Sequence, residues 1–270
     1  MTAAELPASW RSHADEAVAR PDAPGPDAPA FYIPMMAFQG ADYDRNAFVM
    51  GTGSEVAALV GRLGLATGTR ILDVGCGTGR HLRALARDHG CTGVGVDVSR
   101  DLIEVACGFG IDSVTFEAGD ARTLSSVPAV AAAVREGGFD VVWTLCQGGF
   151  GTSPLADGAV LAGLAAACRP GGTVVVTAFH ALFAARHLVD GDAYDVVRGV
   201  HHQRTEVRGP DHTRREFDLW TTAYTVGEIV RAFEDAGLVV GEVVGCEPGR
   251  YDSTTVGLND PELLVVARKP

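Results

Sequence analysis

The chain has 270 residues, which suits one α/β domain with a modest accessory region and is long enough to bury a sizeable core. Its formal net charge of −12 opposes extended contact with nucleic acid or an anionic membrane, because both need a positive protein surface. The only lysine is Lys269, which excludes Schiff-base or lysine general-base chemistry in the core.

The cysteines and the N-terminal sequence bear on the cellular compartment. The six cysteines are scattered without a C-x-x-C pair, so neither a metal site nor a disulfide framework is indicated. The N-terminus has no basic region followed by an apolar run, and no apolar stretch approaches 18 residues. These features predict a cytoplasmic protein with reduced thiols.

Residues 1–50 are predicted to form an N-terminal cap segment with a proline-rich linker. A short helix is predicted over 9–20, and the four prolines of 21–29 oppose both helix and sheet. Residues 31–43 are rich in aromatic side chains and methionine, too apolar for a free tail. A further helix is predicted over 52–63.

A doubly wound α/β section follows. Strand-like apolar runs occur at 70–74, 92–97, 113–117, 139–145 and 172–179, and helical patterns lie between them at 80–89, 100–109, 126–136 and 155–168. Nearly continuous apolar strands that alternate with helices indicate a parallel sheet buried on both faces.

The alternation breaks after this section and then resumes. Residues 201–207 and 213–220 alternate charged with apolar side chains, which predicts two antiparallel strands with one solvated face. A helix at 226–236 and strands at 238–246 and 262–268 complete the chain.

The most specific motif joins the first two predicted strands. Ile71-Leu72-Asp73-Val74-Gly75-Cys76-Gly77-Thr78-Gly79 is an apolar strand running into a glycine-rich turn, and Asp97 ends the next strand. A dinucleotide fingerprint reads G-x-G-x-x-G, but here the third glycine comes one place early and Arg80 stands in its position. Asp73 would also repel a pyrophosphate. The motif therefore favours an adenosine ligand without phosphates, including a cationic one.

This pattern resembles the class I S-adenosylmethionine-dependent methyltransferases that act on small molecules, whose signature is an acid followed by G-x-G-x-G. The resemblance implies a Rossmann-like, mostly parallel seven-stranded sheet with a reversed C-terminal strand. It assigns the methyltransferase core to 51–180 and 225–270, and leaves 181–224 as a small antiparallel lid that contacts the acceptor. The implied cofactor is S-adenosyl-L-methionine.

The resemblance also assigns cofactor contacts at the first two strand tips. Ligands of open α/β sheets bind at the carboxyl ends of the strands. The loop of Gly75, Gly77 and Gly79 would hold the methionine part, with Asp73 near its ammonium group. Asp97 would accept the ribose hydroxyls and Val98 would lie against the adenine. A strand-ending Asp often caps the next helix instead, but here Ser99 is available for that role.

The third and fourth tips complete the predicted site. Asp120, beside Ala121, corresponds to the acid that takes the adenine amino group, although it can also be a turn residue. The segment 143–150 lacks the Asn/Asp-Pro-Pro-aromatic motif of amino-group methylation on nucleobases, and Cys146 lacks the preceding proline of a cytosine-C5 nucleophile. Cys146 is therefore predicted to line the cofactor pocket.

Candidate catalytic residues are His180 and Tyr32. His180 leaves the sheet at the fifth tip, where it is a candidate general base or, alternatively, a helix cap. Aromatic rings facing a sulfonium gain cation–π energy, so Tyr32 and Tyr43 are predicted to contact the reacting centre and the cofactor, respectively. His201 and His202 point to opposite strand faces, which opposes a two-histidine metal site.

The sequence thus predicts methyl transfer to N, O or C of a small organic acceptor by in-line displacement, without nucleic-acid or membrane partners. A non-catalytic S-adenosylmethionine-binding regulator remains the alternative. A nicotinamide oxidoreductase is disfavoured by the early third glycine.

Overall fold

The computed structural model describes residues 28–146, 148–152, 156–209 and 212–270. The helix predicted at 9–20 and most of the proline-rich linker lie outside these residues, as does part of the turn at 209–211.

The elements follow the predicted order closely. The α-helices are α1 (Ala28–Gln39), α2 (Thr52–Leu63), α3 (Arg80–His89), α4 (Arg100–Gly108), α5 (Pro128–Arg135), α6 (Asp157–Ala167), α7 (Ala181–Arg186) and α8 (Val226–Asp235). The strands are β1 (Arg70–Val74), β2 (Thr92–Asp97), β3 (Val114–Ala118), β4 (Phe139–Thr144), β5 (Cys168–His180), β6 (Ala193–Asp195), β7 (Val200–Arg208), β8 (Arg214–Tyr224), β9 (Val239–Cys246) and β10 (Glu262–Arg268). Short 3-10 segments occupy Gly40–Arg45, Ala47–Gly51 and Ala121–Ser126.

The core sheet runs β3-β2-β1-β4-β5 with parallel pairing, and β10 and β9 continue it from β5 with antiparallel pairing. This arrangement confirms the predicted doubly wound fold with a reversed C-terminal strand. The order changes direction beside β1 and β4, which places the ends of β1, β2 and β4 around one crevice at the carboxyl edge.

Burial on both faces explains the nearly continuous apolar strands. Neighbouring residues on β1 point to opposite faces, so Leu72 packs with Val142 and Phe233 on one side while Ile71 packs with Leu85 and Trp143 on the other. The helices cover both layers and fix the strand tips in place.

The insertion extends the main sheet. β6, β7 and β8 are antiparallel to one another, and β8 joins β5 in parallel through Phe179 and His180, which pair with Ala223 and Tyr224. The predicted division into cap, core and lid stays a prediction, but the insertion is anchored at the carboxyl end of β5.

Helix α1 packs against this extension. The Phe31 ring lies 5.2 Å from that of Trp220, and the Phe38 ring 5.6 Å from that of Phe217. Helix α1 begins inside the predicted linker. It tolerates Pro34 because the free energy gained by burying its apolar side chains exceeds the cost of the backbone N–H donor that proline lacks. Within the described part of the chain, no helix combines the length and apolar character needed to cross a membrane.

Candidate active site

The glycine loop after β1 has a backbone that needs glycine. Gly75, Gly77 and Gly79 have φ of 74°, 56° and 74°, in the left-handed region. A Cβ on Gly75 would lie 1.9 Å from the carbonyl carbon of Gly148, and one on Gly77 would lie 3.3 Å from the Tyr43 ring. The loop is therefore a cradle between two neighbouring segments, and side chains at these positions would fill it.

Asp97 holds the loop from the adjacent strand. Its carboxylate accepts hydrogen bonds from the amides of Gly77 and Ser99, both at 2.8 Å. Burial raises the pKa of Asp97 to about 6, although the hydrogen bonds from these amides act in the opposite direction and lower it. The Ser99 hydroxyl caps α4 by accepting from the Leu102 amide, so Asp97 is not needed as the cap. Its oxygens retain lone pairs for a ligand.

A narrow crevice of about 40 Å³ runs along the carboxyl ends of these strands; we call it the strand-tip crevice. It is lined by Tyr32, Gly75, Val96, Asp97, Val98, Gly119, Asp120, Ala121, Arg122, Gly148, Gly149 and Thr152. Five of the residues predicted to bind the cofactor thus meet here: Gly75, Asp97, Val98, Asp120 and Ala121. The volume is well below the roughly 300 Å³ of ordinary ligand pockets, so a nucleoside would need space beyond the crevice or a shift of Tyr32 or the 148–152 loop.

Asp120 lies at one wall of the crevice and forms an ion pair with Arg122. Arg122 forms a forked ion pair with it, at 2.6 Å from Nη2 to Oδ2, and holds the pKa of Asp120 below its usual range. The same carboxylate accepts from the Arg122 amide at the start of the Ala121–Ser126 segment. Asp120 therefore shapes a turn and also lines the crevice, so both of its predicted roles can apply together.

Asp73 lies behind the glycine loop and does not line the crevice. It is 1% exposed, its Oδ2 has no hydrogen bond of ordinary geometry among the described residues, and the Trp143 indole is the side chain that interacts with it. Burial raises the pKa of Asp73 to about 7, and Trp143 and Arg80 act in the opposite direction. A buried carboxylate beside a glycine cradle suits a cationic ligand group, which would lower that pKa.

A central cavity of about 430 Å³ adjoins the crevice. Three regions line it: the N-terminal segment, the insertion strands and the edges of the core. Its lining residues are Tyr32, Met35, Met36, Gln39, Tyr43, Asn46, Cys146, Thr152, Phe179, Thr205, Glu206, Val207, Arg208, Leu219, Thr221 and Pro248. Tyr32 and Thr152 line both spaces, so the crevice and the central cavity meet at these two side chains.

Tyr32 and Tyr43, the two tyrosines predicted to contact the reacting centre and the cofactor, lie close to where the two spaces meet. Tyr43 packs over Gly77 and lines the central cavity, while Tyr32 lines both spaces. Burial raises the pKa of both phenols above their usual range. Each is therefore neutral at physiological pH and can donate a hydrogen bond or present its ring, but cannot act as a phenolate base.

Cys146 lines the central cavity and not the crevice, so its predicted contact with the cofactor stays a prediction. It has a φ of 52°, and its Sγ lies 2.9 Å from Arg80 Nη2 and 3.0 Å from the Tyr251 hydroxyl. Burial raises the pKa of Cys146 to about 12, so the thiol is protonated at neutral pH. This geometry fits a pocket-lining side chain and opposes a nucleophile.

A buried charged cluster behind Cys146 was not predicted from the sequence. Glu55 of α2 is fully buried and accepts hydrogen bonds from Arg80 and, at 2.8 Å, from His81. Burial opposes its ionisation, but His81 and Arg80 lower the pKa of Glu55 to about 2. Glu55, His81 and Cys146 bring possible metal ligands within 4.8 Å of one another, but the fixed positive charge of Arg80 contacts two of them and opposes a cation there.

His180 does not reach the central cavity. Its ring is buried, and Nδ1 lies 3.0 Å from the carbonyl of Asp260, which can only accept. Nδ1 therefore carries a proton. Phe179 lines the cavity in its place, because the fifth strand continues into α7 with the histidine turned toward the 260 region. The geometry does not support the predicted general base.

The two histidines of the insertion, His201 and His202, do not converge either. His201 pairs with Asp192 at 3.0 Å and His202 with Asp218 at 2.9 Å, so each imidazole has its own carboxylate.

Comparison with known proteins finds methyltransferases among the relatives of this chain. A family profile described as "Methyltransferase domain" matches residues 71–172. Over 230 residues, the chain is 32% identical to dTDP-3-amino-3,6-dideoxy-alpha-D-glucopyranose N,N-dimethyltransferase of Streptomyces fradiae, covering 78% of this chain and 84% of that protein.

Two further proteins are similar over different extents. The chain is 36% identical to 2-methyl-6-phytyl-1,4-hydroquinone methyltransferase of Synechocystis over 115 residues, which cover 42% of this chain but only 32% of that protein. The fold is also similar to that of SAM-bound CalS10, an amino pentose methyltransferase from Micromonospora echinaspora involved in calicheamicin biosynthesis. The TM-score is 0.52 and the identity 22%, over 83% of this chain and 92% of that one.

Proposed function

Because this chain belongs to the S-adenosylmethionine-dependent methyltransferase family, we propose that it transfers a methyl group to a nitrogen, oxygen or carbon atom of a small organic acceptor. The cofactor would occupy the strand-tip crevice and the acceptor the central cavity. The observation that carries this assignment is the shared lining: Tyr32 and Thr152 border both spaces, so a methyl donor in the first faces an acceptor in the second.

The crevice residues suit the cofactor part by part. Asp97 is buried, holds the glycine loop and retains acceptor capacity for ribose hydroxyls. Val98, Asp120 and Ala121 would surround the adenine. The glycine loop would face the methionine part, and the buried carboxylate of Asp73 behind the loop makes a positive charge favourable there.

S-adenosylmethionine supplies an electrophilic methyl group when it is bound. The protein's own contribution is to align the acceptor, exclude water and take up a proton where the acceptor must lose one. Alignment of this kind can contribute roughly 7–11 kcal/mol. The apolar lining from Met35, Met36 and Leu219 excludes water. Glu206 is the one carboxylate among the described lining residues of the central cavity, and it is paired with Arg214 at 2.5 Å.

A small molecule is the acceptor class that the comparisons favour. One relative acts on a dTDP-linked amino sugar and another on a hydroquinone. The net charge of −12 and the absence of the Asn/Asp-Pro-Pro motif argue against nucleic acid. The comparisons give no support to a non-catalytic cofactor-binding protein.

A cytoplasmic location belongs to the same proposal. All six cysteines are free, including the exposed Cys107, as is usual in a reducing compartment.

Calorimetric titration with S-adenosylmethionine and S-adenosylhomocysteine tests the cofactor part. If neither S-adenosylmethionine nor S-adenosylhomocysteine bound, the proposal would be refuted. The acceptor part is tested by screening amines, phenols, carboxylates and indoles while S-adenosylhomocysteine formation is followed by mass spectrometry. Methylation of a small-molecule class is expected; methylation of RNA or DNA alone would refute the acceptor assignment.

A further inference from the structure

A second space lies beside the central cavity. This outer cavity of about 380 Å³ is lined by Asp42, Arg45, Asn46, Arg208 and His212. Asn46 and Arg208 line the central cavity as well, so the two spaces adjoin at these side chains. A ligand that fills the central cavity can therefore extend into the outer one.

The outer cavity is rich in N–H donors although the protein is acidic. Arg45 and Arg208 carry fixed positive charges, and Asn46 adds an amide. The His212 ring lies against the Arg208 guanidinium. The donors come from both the N-terminal segment and the β7–β8 hairpin.

Among the described lining residues of the outer cavity, one carboxylate opposes this charge. Asp42 pairs with Arg45 at 2.9 Å, and the Arg45 side chain is 80% exposed. An exposed pair of this kind adds little to stability, so Arg45 can turn toward a stronger anion at little cost. Arg208 has no such carboxylate partner among the ion pairs of the described residues, and its guanidinium faces the space between the two cavities.

We propose that the outer cavity binds a phosphate group carried by the methyl acceptor, and that Arg208 and Arg45 recognise it. A phosphate has more acceptor oxygens than a carboxylate and matches several N–H donors from separate elements, and arginine binds it through two parallel hydrogen bonds. This inference rests on the proposed function, because it assigns the anionic end of the molecule whose reactive end occupies the central cavity.

The packing around Arg208 fits this role. Gly209 lies against α1, where a Cβ would lie 2.7 Å from the Phe38 ring, and its amide donates to the carbonyl of Thr213 across the hairpin. The end of β7 is thus seated on the N-terminal segment that carries Arg45. A phosphate held by both arginines would fasten the lid strand to that segment over a bound acceptor.

Calorimetry with inorganic pyrophosphate at low ionic strength tests the site. Arg208→Gln is expected to weaken pyrophosphate binding about tenfold, because a hydrogen bond to a charged group is lost, and Arg45→Gln should weaken it less. The matched control is Arg204→Gln, since Arg204 lies on the same strand, is exposed and lines neither cavity. Equal pyrophosphate affinity in the wild type and Arg208→Gln would overturn the proposal.

Glucosamine 6-phosphate separates an acceptor phosphate from a free phosphate ion. If the phosphate belongs to the acceptor, the sugar extends into the central cavity and this compound binds more tightly than inorganic phosphate. Equal affinities would overturn the acceptor assignment. S-adenosylmethionine affinity is measured for every variant: unchanged values show that the fold and the crevice are intact, whereas failure of the wild type to bind the cofactor would refute the proposed function separately.

Discussion

The carboxylate of Asp97 accepts a hydrogen bond from the amide of Gly77 at 2.8 Å, so the acid that ends β2 fixes the middle of the loop that follows β1. The bond joins two elements that are 20 residues apart in sequence and are adjacent in the sheet. Both sides of the proposed cofactor crevice therefore depend on one side chain.

Replacement of Asp97 should show this dependence. Asp97→Asn keeps the shape but removes the charge, and we expect S-adenosylmethionine to bind at least about tenfold more weakly, because hydrogen bonds to a charged group contribute about 1.5–3 kcal/mol. Calorimetry measures the change. Asp101→Asn, an exposed acid in the first turn of α4, is the matched control. Unchanged affinity in Asp97→Asn would remove Asp97 from the cofactor site.

Cofactor binding should release a proton from Asp73. With a pKa of about 7, raised by burial, this carboxyl is about half protonated at pH 7 without a ligand. A positive charge nearby lowers the pKa, so binding at pH 7 should release about half a proton, and affinity should rise as the pH increases through 7. Calorimetry in buffers of different ionisation enthalpy measures the release.

The control for that measurement is Asp73→Asn, which has no proton to lose at this position. Asp97 is largely ionised at pH 7, since its pKa is about 6, and contributes little. A binding enthalpy of the wild type that does not depend on the buffer would show that no cationic group approaches Asp73.

Glu55 should be a major determinant of stability. It is fully buried and bonded to both Arg80 and His81, so Glu55→Gln leaves a buried guanidinium without its counter-charge. Breaking a buried pair in this way costs about 3–5 kcal/mol. Urea denaturation of Glu55→Gln and of the exposed-site control Glu104→Gln measures the difference. A loss no larger than that of the control, within about 0.5 kcal/mol, would contradict the prediction.

The Glu55 cluster also marks the limit of sequence-based prediction. The glycine loop, Asp97 and the strand order could be predicted because each depends on a local pattern: a glycine spacing, a strand tip, an apolar run. The partnership of Glu55 with Arg80 depends on how α2 packs against α3, and neither residue stands out in its own helical pattern. In the same way, β5 begins at Cys168, before the predicted start, because Gly171 pairs across the sheet with Lys269.

Cys146 should react slowly with alkylating reagents. Its pKa of about 12, raised by burial, leaves roughly one thiolate in ten thousand at pH 8. Peptide mapping after iodoacetamide treatment should therefore show the exposed Cys107 modified well before Cys146. In addition, Cys146→Ala should keep methyl transfer once an acceptor is known. Rapid alkylation of Cys146, or complete loss of transfer in the variant, would restore the nucleophile interpretation.

The sequence predicts that His180 is a general base, whereas the structure places its ring outside the central cavity. As a general base at the reacting centre, it would have to receive a proton from the acceptor, and its removal would abolish the acidic limb of a pH–rate profile, where the base becomes protonated and inactive. The structure instead fastens Nδ1 to the Asp260 carbonyl and lines the cavity with Phe179. We therefore expect His180→Asn to lower kcat/KM less than about threefold, with the pH profile unchanged in shape.

Glu206→Gln, which alters a carboxylate that does line the central cavity, is the informative comparison. If His180→Asn alone removed the pH-dependent limb, the imidazole would have to reach the acceptor, and the position found for it here would not be the catalytic one.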